Sequence, residues 1–234
     1  MIQVAAKVDS ASSGTVGAVA TGIFLSAPVD TDATITNTGT IDVTAITAHQ
    51  DNAQAWGIHV FDFAPDVPDD ADHVLTINNS GRIIARQSSD GGATFKHGMA
   101  IDVTGAPNPT VINLLGGGLI YGDIALQSSS DSVNVKEGTT LFDGVINPSF
   151  LPVEGVTAAD LDNGLAGIGT LNIEDAGNLI LADPAITGDP AMFDGPAFAF
   201  VDTLNVASDG TLTFQLQPAS GGLQPVGSYP QIFA

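Results

Sequence analysis

The stretch Ile35-Thr36-Asn37-Thr38-Gly39-Thr40-Ile41-Asp42-Val43 decides the fold. Apolar residues at alternate positions form one face of a strand. Asn, Thr and Gly then permit a turn with a positive φ angle, and the alternation resumes with its apolar face again inward. The pattern recurs around Gly81, Gly118, Gly177 and Gly210. Six residues before the glycines stand Ala33, Leu75, Ile112, Leu171 and Leu204; four before, Ile35, Ile77, Leu114, Ile173 and Val206. Two residues after come Ile41, Ile83, Ile120, Leu179 and Leu212; four after, Val43, Ala85, Gly122, Leu181 and Phe214, the one column with a failure. Val133 to Gly138 reads as a sixth copy with a one-residue slip.

The intervals between the glycines are 42, 37, 59 and 33 residues. Insertions that leave the local pattern intact suit stacked coils whose loops leave from one side. A second series, beginning at Gly22-Ile23-Phe24-Leu25, Gly57-Ile58-His59-Val60 and Gly98-Met99-Ala100-Ile101, interleaves with the first. Each member precedes a glycine turn. The order strand, loop, strand-turn-strand, next layer predicts an all-β chain folded as a right-handed parallel β-helix, with roughly 20 or more residues per coil. About ten coils at some 4.8 Å each predict a rod of about 50 Å. One domain spans 1–234, with insertions at 147–164 and 184–196 and terminal coils over 197–234.

Other folds fit less well. No long window keeps apolar spacing at i, i+3, i+4 and i+7, and Gly, Thr, Asn and Asp are poor helix formers. An antiparallel sandwich gives no reason for two interleaved series.

Composition bounds the function. The 234 residues hold five Lys and Arg against 26 Asp and Glu, a net charge of −21. Nucleic acid is excluded as a partner, because phosphate recognition needs a basic footprint, and an anionic membrane is disfavoured for the same reason. With 44% hydrophobic residues the chain has ample apolar surface to bury. Cys is absent, so disulfides and thiolate metal sites are ruled out. No apolar stretch approaches the roughly 20 residues of a membrane-spanning helix, and no secretory signal follows Met1. The chain stops in mid-strand pattern at Tyr229-Pro230-Gln231-Ile232-Phe233-Ala234, so a fragment is expected.

Ile35 to Ala45 and Ile77 to Ala85 resemble the repeats of bacterial autotransporter passenger domains. Gly117 to Leu126, followed by Asp131 to Val135, is similar to the coils before such passengers' C-terminal part, and Leu204 to Phe214 with Tyr229 to Ala234 resembles the last coils before the outer-membrane barrel. The resemblance covers nearly the whole chain from about Gly22. It implies a cell-surface segment of a type V secreted protein, tethered through a barrel that this chain lacks. It also implies a stalk or adhesive scaffold meeting a host, cell-surface or polysaccharide ligand, or copies of itself. Lack of Cys fits, since a premature disulfide would block passage through a narrow pore.

The side chains that carry chemistry are sparse. Asp62, Asp66, Asp69, Asp70 and Asp72 cluster beside His73, the kind of oxygen set that suits Ca²⁺, but the spacing is not that of an EF-hand, and a solvated acidic loop is the default. Asp30 and Asp32 read as a turn before Ala33. His49, His59, His73 and His97 lack ligand spacing. Asp102, Asp123 and Asp143 could line a groove for glycoside hydrolysis or lyase chemistry, yet nothing marks an acid from a nucleophile. Gly116-Gly117-Gly118 reads as a turn, with no Lys-Ser/Thr after it. Arg82, Arg86, Lys96 and His97 form a local basic spot expected to pair with neighbouring Asp. Trp56, Phe61 and Phe63 flank His59 and could stack on a sugar, core filling at a corner being the plainer reading. No catalytic residue, metal or cofactor is assigned. The expected role is structural and adhesive; a carbohydrate-active β-helix and a self-assembling filament protein are the alternatives.

Overall fold

The computed structural model describes residues 1–8, 17–26, 31–48, 53–61, 72–151, 165–182, 197–215 and 230–234. The chain is an all-β parallel β-helix of three sheets, as the interleaved series predicts. Sheet A stacks β1 (Ile2–Val8), β4 (Thr40–Thr47), β7 (Arg82–Ser88), β11 (Leu119–Tyr121), β14 (Gly138–Asp143), β17 (Gly177–Leu181) and β20 (Thr211–Phe214). Sheet B stacks β2 (Ala18–Ser26), β5 (Ala53–Phe61), β9 (Met99–Asp102), β12 (Asp123–Ala125), β15 (Val145–Ile146), β18 (Phe198–Phe200) and β21 (Gln231–Phe233). Sheet C stacks β3 (Ala33–Asn37), β6 (Leu75–Asn79), β10 (Thr110–Leu115), β13 (Ser132–Lys136), β16 (Thr170–Ile173) and β19 (Thr203–Val206). The chain runs A, B, C and returns to A one layer on. Among the described residues only the two-residue β8 (Lys96–His97) pairs antiparallel, with β7.

Ten coils are too many. Six complete circuits and a partial seventh are present among the described residues, so six steps at strand spacing give about 29 Å rather than 50 Å. The loops account for the difference. Ile120 stacks on Phe142, a circuit of 22 residues, whereas Ile41 stacks on Ile83 and Phe142 on Leu181, circuits of 42 and 39.

Each sheet contributes an inward aliphatic column. Sheet A aligns Ile2, Ile41, Ile83, Ile120, Phe142, Leu181 and Phe214. Sheet B aligns Ile23, Ile58, Ile101, Ile124, Ile146, Ala199 and Ile232. Sheet C aligns Ile35, Ile77, Ile112, Val133, Leu171 and Leu204. Interior members are buried and form one continuous core, with the terminal rungs half-buried or exposed. Burial of each such side chain contributes about 1.5–3 kcal/mol.

The register refines the sequence alignment at one coil. Ile77 stacks on Ile112, not on Leu114, while Ile83 stacks on Ile120 as aligned. Gly116 and Gly117 are thus two extra residues in the turn, and Gly117 takes a φ of 91°. The failed column at Gly122 is a corner, at φ 125°, between β11 and β12. The slipped sixth copy is real: Val133 stacks on Leu171 and Gly138 on Gly177.

The aligned glycines do not share the predicted reason for being glycine. Positive φ falls on Glu137, Asp175 and Ala176 instead of on Gly81. A Cβ on Gly81 would lie 2.0 Å from the Gly39 carbonyl oxygen. The rungs approach too closely there for any side chain.

Candidate functional site

Two clusters of chemistry-bearing side chains stand on the outside of the coil. The first is aromatic and lies on the outer face of sheet B near the N-terminal end. Strict alternation along β5 would put Trp56 and His59 on opposite faces. Gly57 prevents this: Ala53, Ala55 and Gly57 point inward, then Ile58 and Val60 do. A Cβ at Gly57 would meet the Ala100 carbonyl oxygen and the Ile83 Cγ2 at 2.5 Å each, so only glycine permits this change of phase. Trp56, His59 and Phe61 therefore share the outer face, and Phe24 joins them as the register partner of His59.

His59 sits at the centre of these rings. Its centroid is 4.7 Å from that of Trp56, edge to face, 5.6 Å from Phe24 and 6.1 Å from Phe61. Phe24 is 53% exposed and Phe61 44%. Core filling is overturned for Trp56 and Phe61, because the inward places on these strands belong to Ala55, Ile58 and Val60; Phe63 lies outside the described residues. Asp102 continues the row as the next register partner of His59, its Oδ1 accepting from the Thr104 N–H and hydroxyl. At the other end of sheet B the outward Phe198, Phe200 and Phe233 are buried instead, packed with Val145, Phe150, Leu151 and Leu165. Phe150 belongs to a 3₁₀ turn, Pro148–Phe150, so described residues at the edges of the first predicted insertion cover these rings.

The second cluster is polar and buried. The β7–β8 hairpin adds β8 to sheet A, antiparallel to the end of β7, and brings His97 between carboxylates of two successive coils. His97 Nε2 lies 3.3 Å from Asp143 Oδ1, and Nδ1 lies 3.8 Å from Asp123 Oδ1. The side chains of Asp143 and His97 are 0% and 4% exposed. Tyr121 packs edge-on to the imidazole at 4.7 Å, and Asp123 Oδ1 accepts the Val145 N–H. Asp90 orders the hairpin loop: it accepts from the Thr94 hydroxyl at 2.6 Å, from the Thr94 and Ala93 N–H groups and from the Ser88 hydroxyl. Those bonds, the Thr94 hydroxyl foremost, hold its carboxyl well below the ordinary range. Asp143 is fully buried, where a polar group needs a partner, and His97 stands beside it. The three predicted groove carboxylates thus separate into a loop cap, Asp102, and a pair bridged by His97, of which Asp143 is buried and Asp123 half-buried.

The remaining candidates have structural partners. Arg86 pairs with Asp42 at 3.2 Å and donates from Nε to Thr44, as the basic spot predicts, while its guanidinium stands 5.9 Å from the Phe95 ring centroid. Lys96 is exposed and borders a pocket of about 200 Å³ with Ala53, Gln87, Ser88 and Ser89. Asp32 does more than turn the chain: it accepts the Val74 N–H from the next coil and lies 3.5 Å from His73 Nδ1. Asp30, His49, Asp62, Asp66, Asp69 and Asp70 fall outside the described residues. No group of three or more metal-ligating side chains converges among the described residues, and no helix among them is long and apolar enough to cross a membrane.

One array went unread in the sequence. On the outer face of sheet C, Asn78, Asn113, Asn134, Asn172 and Asn205 stand in register. Each of the last four side-chain amides donates to the carbonyl of the Asn before it, at 2.8, 3.1, 2.7 and 2.8 Å. The signal was available: an Asn follows the inward Ile, Val or Leu in every copy but the first. Compared with known proteins, the chain matches no family model, no curated protein and no solved structure.

Proposed function

We propose that this chain is a structural and adhesive β-helical scaffold, the passenger segment of an autotransporter that holds an interaction surface away from the cell. The observation that carries the reading is the run of parallel coils with an in-register aliphatic core. Each strand between the ends is hydrogen-bonded to the coil above and the coil below, so the stack stays cooperative without disulfides. The repeats that resemble passenger coils coincide with those rungs. In this reading the chain is no enzyme: Asp102 caps a turn, and Asp123 and Asp143 clamp the β8 hairpin through His97. The acidic surface keeps the rod soluble and discourages edge-to-edge pairing.

The test is display. Placed between a secretion signal and the barrel of a type V system, the chain should reach the outer face of the cell and be labelled there by an impermeant reagent. Accumulation of folded chain in the periplasm, with an empty barrel control exported normally, would overturn the passenger reading.

A further inference from the structure

The outer face of sheet B combines exposed aromatic rings with a one-sided charge distribution. The chain has five Lys and Arg residues in all. Lys7, Arg82, Arg86 and Lys96 lie on sheet A or its hairpin, and Lys136 lies on sheet C. None lies on the strands of sheet B, which carry Asp102 and Asp123 instead. A ring face attracts a cation held above it, most strongly when the surroundings offer no competing positive charge. An acidic body also raises the encounter rate of basic partners and repels a second copy of itself.

We infer that the Phe24–Trp56–His59–Phe61 face is a docking site for a basic segment of a partner protein. The Arg or Lys head groups of that segment lie on the exposed rings of Phe24 and Phe61. Charge complementarity selects this occupant over an acidic glycan or another copy of the chain. The aromatic geometry gives the general attraction of a −21 protein for cations a definite address.

The chain has one tryptophan, and it lies in this patch. Its fluorescence is therefore a local reporter. The full chain is titrated with a short Arg-Gly-Ser repeat peptide, with the matching Glu-Gly-Ser peptide and with a neutral glucan oligosaccharide. Only the Arg peptide should shift the Trp56 emission, and its affinity should fall as salt rises. Phe24→Ala combined with Phe61→Ala leaves the net charge unchanged and removes the two exposed rings of the patch. It should weaken the Arg peptide about tenfold, two exposed cation–π contacts at roughly 0.5–1 kcal/mol each. Phe214→Ala, on an exposed ring of β20, should leave the affinity unchanged. Equal affinity in the double variant and the parent chain would show that net charge alone attracts the peptide, and would overturn the site. A response to the glucan but not to the Arg peptide would overturn it in favour of sugar stacking. The inference rests on the scaffold reading, but the titration uses the isolated chain and the display experiment does not involve the peptide, so the two fail separately.

Discussion

A single glycine column holds residues with opposite demands. A Cβ on Gly39 would find its nearest neighbours at 4.0 Å, whereas one on Gly81 would be driven into the backbone of the rung before it. Gly39→Ala is expected to change stability by less than about 0.5 kcal/mol, and Gly81→Ala to cost at least about 1–3 kcal/mol through overpacking against an atom that cannot yield. Urea unfolding of the two variants tests this, and equal effects would refute it. Asp131 provides the pH-sensitive counterpart. Burial pushes its carboxyl above the ordinary 3.8, against the backbone N–H groups of Thr110, Ser128 and Gln127, which favour the ionised form. With the folded-state pKa raised, the folded state holds the proton more tightly, so this group's contribution is present below the unfolded value and lost as pH rises through the folded one. Relative to Asp131→Asn, the parent chain should lose stability as pH rises above 3.8. A difference that grows in the parent's favour over that range would contradict the assignment. Residue identity announced none of this. Trp56 and His59 share a face only because Gly57 reverses the alternation, and His97 meets Asp143 only because a hairpin returns the chain beside β7, within sheet A.

At the level of single strands, alternation was legible and stacking offsets were not. The apolar columns of β3, β6, β7 and β4 follow from the sequence, since period-two burial leaves little freedom. The offset at Gly116 and Gly117 depends on which residues of the next rung are free to pair, and that is decided through space. The Asn ladder shows the same division. Its residues recur visibly, but their mutual bonding requires five rungs in exact lateral register. Asn134 both donates to Asn113 and accepts from Asn172. Asn134→Ala should therefore cost about 1–3 kcal/mol, two hydrogen bonds at roughly 0.5–1.5 kcal/mol each. Asn205→Ala, at an exposed end with one ladder bond, should cost about half as much. Thermal denaturation that ranks the two variants the other way would show that the ladder carries no cooperative load.

For the whole molecule, the class of fold was written in the repeats, and the number of layers was not. Counting residues per coil fails when circuits of 22 and 42 residues coexist, because loops lengthen the path without adding height. The aromatic and buried polar sites were equally hidden, since each assembles residues from two or three coils. Yet the shortest circuit gives the chain a natural unit of excision. Deleting residues 120–141 would splice Leu119 to Phe142, which already occupies the place directly above Ile120. Asn113 would then face Asn172, and Ile101 would face Ile146, each pair being separated by one removed rung. Such a shortened chain should still melt in one cooperative transition, while a cut one residue shorter would turn the rest of the spliced strand to the opposite face. The protein can be trimmed like a spiral staircase, by whole turns alone.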